Sequence, residues 1–217
     1  MKVLSSCLLL VVVLLSGCHP IQPERFPLED GGGKIVRMED VDRYGLAVND
    51  MPEGWVLFED IPLASNEELA ETRKDPAGAL AKLKSLGREG GKYQYFGKPG
   101  SYLGTNEIRI SVVVLKNPKA AIDYIDFNYL RDVENIEKGE VISMSPVSAP
   151  AFGETSIVRF GKKTGTKDSL VQIWTWYDIS FQIHNVSVFI EAYSAQGSGD
   201  MTEAVKVARL IEEKLRQ

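Results

Sequence analysis

The sequence predicts an α+β domain, a mainly antiparallel β-sheet packed with about three helices. Strand patterns follow one another through short turns, and the order is one strand, a helix, two strands, a helix, four strands and a final helix. That order is typical of antiparallel pairing rather than of a doubly wound parallel sheet. In addition, apolar and mostly polar side chains alternate over residues 171–183, which is the period of a strand with one buried face.

The first helical stretch is predicted over residues 65–87. Ser65 and Glu68 have the spacing of a capping box, in which each side chain binds the backbone N–H of the other residue. Asp75 precedes a proline in this stretch, which predicts a break or restart there, since proline is favoured at the first helical position. Gly87 stands where a helix commonly ends in the left-handed conformation.

Two further helices are predicted by their caps and apolar stripes. Asn117-Pro118 begins the first, and its stripe consists of Ala121, Ile122, Ile125 and Tyr129. The second lies at the C terminus, where Asp200 and Glu203 form the cap. Its stripe consists of Met201, Ala204, Ala208, Ile211 and Leu215.

Strands are predicted over residues 54–58, 92–100, 107–115, 140–150, 154–163, 171–183 and 186–194. The last two are expected to form a hairpin that turns at His184-Asn185, because asparagine tolerates positive φ. In its element order the domain resembles the α/β sandwiches of the PsbP and Mog1 type. Such a resemblance bears on fold and does not assign a function.

The N terminus has the features of an export signal. Lys2 precedes an apolar run that ends at Leu15, too short for the roughly 20 residues of a membrane-spanning helix. Leu15-Ser16-Gly17-Cys18 resembles the lipobox of bacterial lipoproteins. The resemblance implies cleavage between Gly17 and Cys18 and attachment of acyl chains, such as palmitate, to Cys18. The alternative is an ordinary secretory signal with an incidental cysteine.

The lipobox implies a location and a domain plan. Two or more acyl chains give stable membrane anchoring, so the mature protein is expected on the extracytoplasmic side of a bacterial envelope. His19, rather than aspartate, follows the cysteine, which favours the outer membrane if the host is Gram-negative. Residues 1–17 form the signal peptide, residues 18–34 form a lipidated, proline- and glycine-rich tether, and residues 35–217 form one globular domain.

Composition excludes several classes of function. Loss of residues 1–17, whose only charged side chain is Lys2, changes the formal charge from −5 to −6, so the sequence predicts no nucleic-acid partner. The two cysteines, Cys7 and Cys18, are lost or lipidated. The remaining histidines are His19 beside the anchor and His184 in the expected turn, where exposure is the simplest expectation. No catalytic set, metal site or cofactor is predicted.

The candidate binding face lies on the polar side of the longest strand. It consists of Gln172, Trp174, Trp176, Asp178 and Gln182. Indole rings among amides and a carboxylate are suited to a sugar, a peptide or a partner surface. Alternatively, a helix covers this face and both tryptophans belong to the core.

Two functions remain open on sequence grounds. The first is a membrane-anchored, non-enzymatic envelope lipoprotein that binds a partner protein or an envelope ligand. The second is a lipid-anchored hydrolase that uses a pair of carboxylates, since 30 acidic side chains leave many pairs available.

Overall fold

One antiparallel sheet of seven strands organises the domain. The structure is a computed structural model, and it describes residues 34–100, 104–164, 173–195 and 199–217. The strands lie in the order β1-β2-β3-β7-β6-β5-β4, and every neighbouring pair is antiparallel. They are β1 Val56–Pro62, β2 Gly90–Gly97, β3 Thr105–Val114, β4 Val141–Pro146, β5 Thr155–Thr164, β6 Ile173–Ile183 and β7 Val186–Ala195.

Helices cover both faces of this sheet. Four α-helices are described: α1 Asn66–Glu71, α2 Pro76–Leu86, α3 Pro118–Glu137 and α4 Thr202–Arg216. The first three pack on one face, whereas α4 packs on the other together with a 3-10 segment, Met38–Tyr44. The expected α+β class is confirmed. Four α-helices replace the expected three because the stretch after Ser65 divides before Pro76.

The helix boundaries follow from their caps. The Ser65 hydroxyl accepts from the Glu68 N–H, and the Glu68 carboxylate accepts in return from the Ser65 N–H. Asp75 and Asn117 each accept from a backbone N–H three residues later, at 3.1 and 2.8 Å. Since each of these two residues precedes a proline, the next helix begins at once. Gly87 ends α2 with φ +58°, a conformation that favours glycine.

The face of the sheet toward α4 is the apolar core. Even-numbered residues of β3 and β7 and odd-numbered residues of β6 point into it, among them Ile108, Ile110, Ile179, Phe181, Val188 and Ile190. The buried side of α4 presents Ala204, Ala208, Ile211 and Leu215 to the same core. Full burial of such side chains stabilises the folded state by roughly 1.5–3 kcal/mol each.

The β6–β7 hairpin closes differently from the sequence expectation. His184, not Asn185, takes the left-handed backbone conformation, with φ +53°. The Asn185 side chain is buried and accepts from the Val36 N–H at 2.8 Å. It also donates to the carbonyl oxygens of Val36 and Leu115. Asn185 therefore ties the start of the domain to the hairpin.

Among the described residues, none of the helices is long and apolar enough to cross a membrane.

Candidate functional site

A row of charged side chains crosses the sheet on the face toward α3. Arg109 of β3 pairs with Glu191 of β7, Glu191 pairs with Asp178 of β6, and Asp178 pairs with Arg159 of β5. Paired residues in adjacent strands point to the same side of a sheet. Two positive and two negative side chains therefore lie in line beneath α3.

Apolar clusters lie on both sides of this row. One contains Val113 and Phe189 of the sheet and Leu115 just after β3, packed against buried residues of α2 and α3. The other contains Val141, Trp176 and Tyr193. The charged row is therefore embedded between two apolar regions, and each unpaired charge in it raises the free energy of the folded state.

Arg159 and Asp178 form a buried ion pair at one end of the row. Arg159 Nη1 donates to Asp178 Oδ2 at 3.0 Å, and Ser180 Oγ donates to the other carboxylate oxygen at 2.9 Å. The guanidinium also lies 4.1 Å from the centre of the Tyr129 ring. Burial raises the pKa of Asp178, and the attraction of Arg159 opposes this. Both charges are thus engaged within the protein.

Arg131 and Asp132 bring two further charges from α3 to the row. Arg131 Nη2 lies 3.7 Å from Glu191 Oε1, and Arg131 Nε lies 3.8 Å from Asp132 Oδ1. Both distances are too long for hydrogen bonds. Asp132 is only 8% exposed. Burial raises its pKa from 3.8 to about 6, although the charge of Arg131 opposes the rise.

A cavity of about 250 Å³ lies between α3 and the sheet, and we call it the α3 cavity. Three arginines and three acidic residues line it: Arg88, Arg109, Arg131, Asp132, Asp178 and Glu191. Its other polar side chains are Tyr93, Ser111, Tyr124 and Asn128, while Leu63, Leu69, Val113 and Phe189 form an apolar wall. The α3 cavity therefore has one charged side and one apolar side.

Several polar side chains of this cavity make no hydrogen bond within the described ranges 34–100, 104–164, 173–195 and 199–217: those of Tyr93, Ser111, Asn128, Arg131 and Asp132. Arg109 differs because its Nη2 donates to Glu107 at 3.1 Å, yet the buried Nε of Arg109 also donates to no described atom. The cavity thus presents donors and acceptors that the described part of the domain does not use.

The two candidate tryptophans lie outside this cavity. Trp176 is 3% exposed and stacks on Tyr193 with a centroid separation of 5.6 Å. Trp174 is half-buried and packs against the same cluster. The Trp176 ring lies over Gly161, where any Cβ would collide with it. The structure therefore places Trp176 in the core, as in the alternative in which a helix covers this face.

The remaining candidate residues have different locations. Asp178 lines the α3 cavity. Gln182 is buried near the hairpin, where its Nε2 donates to the Glu154 carboxylate at 2.9 Å and to the His184 carbonyl at 2.5 Å. Gln172, Gly17 and Cys18 lie outside the described residues. Of the proposed residues that the structure describes, only Asp178 lines the cavity.

His184 is half-buried, which corrects the expectation of exposure, with Nδ1 3.8 Å from Glu154 Oε1. The described segments contain no group of three or more histidine, cysteine, aspartate or glutamate side chains that could hold a metal ion.

Sequence reasoning missed Arg109, Arg131, Asp132 and Glu191. Arg109 alternates with the buried Ile108 and Ile110 in β3. Such alternation does not distinguish a solvated face from a polar layer beneath a helix. On α3, Tyr124, Asn128 and Asp132 follow one another at four-residue intervals. Residues four apart lie on the same face of a helix, so this series indicates that the buried face of α3 continues into polar residues.

The comparisons with known proteins bear on the fold. No protein-family model matches the chain, and no curated protein matches it. Among solved structures, the chain is similar to the extracellular domain of PknH from Mycobacterium tuberculosis, with a TM-score of 0.56 and 12% identity. The likeness covers 85% of this chain and 99% of that one. At this identity, it shows a shared fold alone.

Proposed function

We propose that this protein is an exported, lipid-anchored, non-enzymatic lipoprotein of a bacterial envelope, and that its domain binds a small ligand in the α3 cavity. Leu15-Ser16-Gly17-Cys18 supports the anchor, with Cys18 as the lipidated residue. The solved structure of similar fold is an extracellular domain, which agrees with a location outside the cytoplasm. If the host is Gram-negative, His19 rather than aspartate after Cys18 supports the outer membrane.

The observation that carries the binding proposal is the set of polar side chains in the α3 cavity that make no hydrogen bond in the described part of the domain. Most buried polar groups in folded proteins have hydrogen-bond partners within the protein or with water. Here Arg131 and Asp132 stand without one in the described part of the domain, beside an apolar wall. A concave apolar site with a few convergent polar groups is the usual form of a small-molecule site.

A cavity-filling variant tests this proposal. We expect one or more probes from anionic, cationic, zwitterionic and neutral sets to raise the unfolding temperature of the full chain purified in detergent. The side chain of Ser111→Phe would occupy the cavity and abolish that increase. Ser111→Ala, which leaves the cavity open, is the matched control. Equal stabilisation of Ser111→Phe and wild type would contradict binding in this cavity.

A second candidate function is a hydrolase that uses Asp132 and Glu191. The raised pKa of Asp132, in a cavity that it shares with a second carboxylate, is typical of a general acid. The remaining acid of the cavity, Asp178, is already engaged by Arg159. Turnover of esterase, glycosidase or phosphatase substrates that disappears in Asp132→Asn would favour the hydrolase and contradict a purely binding role.

A further inference from the structure

The dimensions of the α3 cavity restrict what it accepts. Pockets for drug-sized ligands usually enclose roughly 300–1,000 Å³, and this cavity encloses about 250 Å³. A single small molecule therefore suits it better than a polymer segment. Because one wall is apolar and the other is charged, the molecule that fills it has an apolar end and a polar end.

The charges of the lining residues restrict which charged groups the polar end of the ligand has. The three arginines and three acidic residues of the lining have no net charge in their ionised forms. A simple anion would lie near Asp132, Asp178 and Glu191, whereas a simple cation would lie near three guanidinium groups. Either ligand meets repulsion that offsets much of its attraction. A ligand that has both charges avoids this conflict.

Most of the lining charges already have close partners in the protein. Asp178 accepts from Arg159 and Ser180, Arg109 donates to Glu107, and Glu191 accepts from Tyr193. A fourth lining charge, Arg88, donates from Nη1 to Asn66 Oδ1 at 2.9 Å. Arg131 and Asp132 are the two lining charges without a hydrogen bond in the described segments. Among the described residues, their only charged contacts are the long ones of Arg131 with Asp132 at 3.8 Å and with Glu191 at 3.7 Å. Arg131 and Asp132 are therefore the positive and negative groups whose hydrogen-bonding atoms are left for a ligand.

We infer that the α3 cavity binds a free α-amino acid with an apolar side chain, its carboxylate on Arg131 and its ammonium group on Asp132. This inference rests on the proposed binding function and names its ligand class. A guanidinium group binds a carboxylate through two parallel hydrogen bonds. The apolar side chain lies against Leu63, Leu69, Val113 and Phe189, where its burial adds to the affinity.

If Asp132 binds the ammonium group, the affinity for the ligand depends on pH. An ammonium group binds the ionised carboxylate, and the pKa of Asp132 is about 6 in the absence of a ligand. Affinity is therefore expected to fall as pH decreases through about 6, because the carboxyl group takes up a proton. The other ionisable groups near Asp132 are Arg131 on the same helix, Asp178, Glu191 and Arg159 on the sheet, and Arg73 between α1 and α2.

Three compounds with the same apolar tail test the inference by calorimetric titration of the full chain in detergent. Leucine has both charged groups, 4-methylpentanoate lacks the ammonium group and 3-methylbutylamine lacks the carboxylate. We expect leucine to bind at least tenfold more tightly than either analogue. Arg131→Gln and Asp132→Asn should each weaken leucine binding at least tenfold, whereas the distant variant Arg37→Gln should leave it unchanged.

Specific results would overturn the inference. Equal affinity for leucine and 4-methylpentanoate would show that the ammonium group is not bound, and equal affinity for leucine and glycine would show that the apolar wall is not used. A ligand of the cavity that is not a zwitterion would overturn the ligand class and leave the binding domain in place. If no compound of the anionic, cationic, zwitterionic and neutral sets binds the cavity, both the amino-acid ligand and the proposed binding function are contradicted.

Discussion

Arg159 and Asp178 stand directly opposite each other on β5 and β6, and Arg159 Nη1 donates to Asp178 Oδ2 at 3.0 Å beneath α3. Their side chains are 5% and 7% exposed. Removal of one member leaves the other charge buried without its partner. Such a loss typically costs about 3–5 kcal/mol.

We therefore expect Arg159→Met to lower the free energy of unfolding by about 3–5 kcal/mol in urea titrations. The double variant Arg159→Met/Asp178→Leu should lose less free energy of unfolding than Arg159→Met alone, because it leaves no unpaired charge. The exposed pair Arg37–Glu39, at 74% and 73% exposure, gives the matched control. Arg37→Met should change stability by less than about 0.5 kcal/mol. A similarly small loss of stability in Arg159→Met would contradict the stabilising role of the Arg159–Asp178 pair.

Asp132 is expected to lower stability at neutral pH. Its pKa is 3.8 in the unfolded chain and about 6 in the folded protein, so between these values the folded state holds a proton that the unfolded chain has lost. The stabilisation is present at low pH and is lost as pH rises through about 6. Asp132→Asn should therefore be more stable than wild type by about 1–3 kcal/mol at about pH 7.5.

Urea titrations of wild type and Asp132→Asn at about pH 4 and about pH 7.5 measure this effect. The advantage of the variant should be smaller at the lower pH, where Asp132 is largely protonated in the folded protein. An advantage that does not change with pH would mean that the ionised carboxylate is not the cause.

Gly161 is expected to be required for the position of Trp176. A Cβ at residue 161 would collide with the indole ring, which is stacked on Tyr193. Gly161→Ala should therefore lower stability by roughly 1–3 kcal/mol and change the tryptophan fluorescence. Gly45→Ala is the control, since its Cβ would meet the flexible Lys92 side chain and, at 3.2 Å, Gln94 Oε1, but no ring. Equal stability of the two variants would contradict close packing at Trp176.

Cys18 is expected to determine the location of the protein. Cys18→Ala should leave the precursor uncleaved or release the protein from the membrane fraction, because no acyl chain can be attached. Incorporation of labelled palmitate and fractionation measure this directly, and circular dichroism should show an unchanged fold. If the variant incorporates label and fractionates like wild type, Cys18 is not the anchor.

The sequence predicts the elements well because local chemistry specifies them. Ser65 with Glu68, Asp75 before proline, and Asn117 before proline identify helix starts through side-chain caps that need no tertiary contact. Strand alternation likewise arises from the backbone alone. These signals predicted three helix starts and the order of the elements along the chain. At α4 the Asp200 carboxylate accepts from the Thr202 N–H, whereas Glu203 accepts from Lys98 and does not complete the expected cap.

Signals that depend on tertiary packing were less informative. The stripe expected on α3 included Ile122 and Tyr129, but both are half-buried, whereas Tyr124 and Asp132 are buried. The buried side of α3 mixes polar and apolar residues because it packs on a row of charged side chains. Apolar periodicity alone therefore does not identify which residues of this helix are buried. The α3 cavity is assembled from six strands and helices that lie far apart in sequence, so spacing did not predict it.

Stabilisation of two Ser111 variants by one compound shows whether the α3 cavity is a ligand site, as we claim. At about one hundred times its dissociation constant, a ligand that binds only the folded state stabilises it by about 2.7 kcal/mol. We predict this increase in the free energy of unfolding for wild type and Ser111→Ala and none for Ser111→Phe. The same increase in all three proteins would contradict the claim.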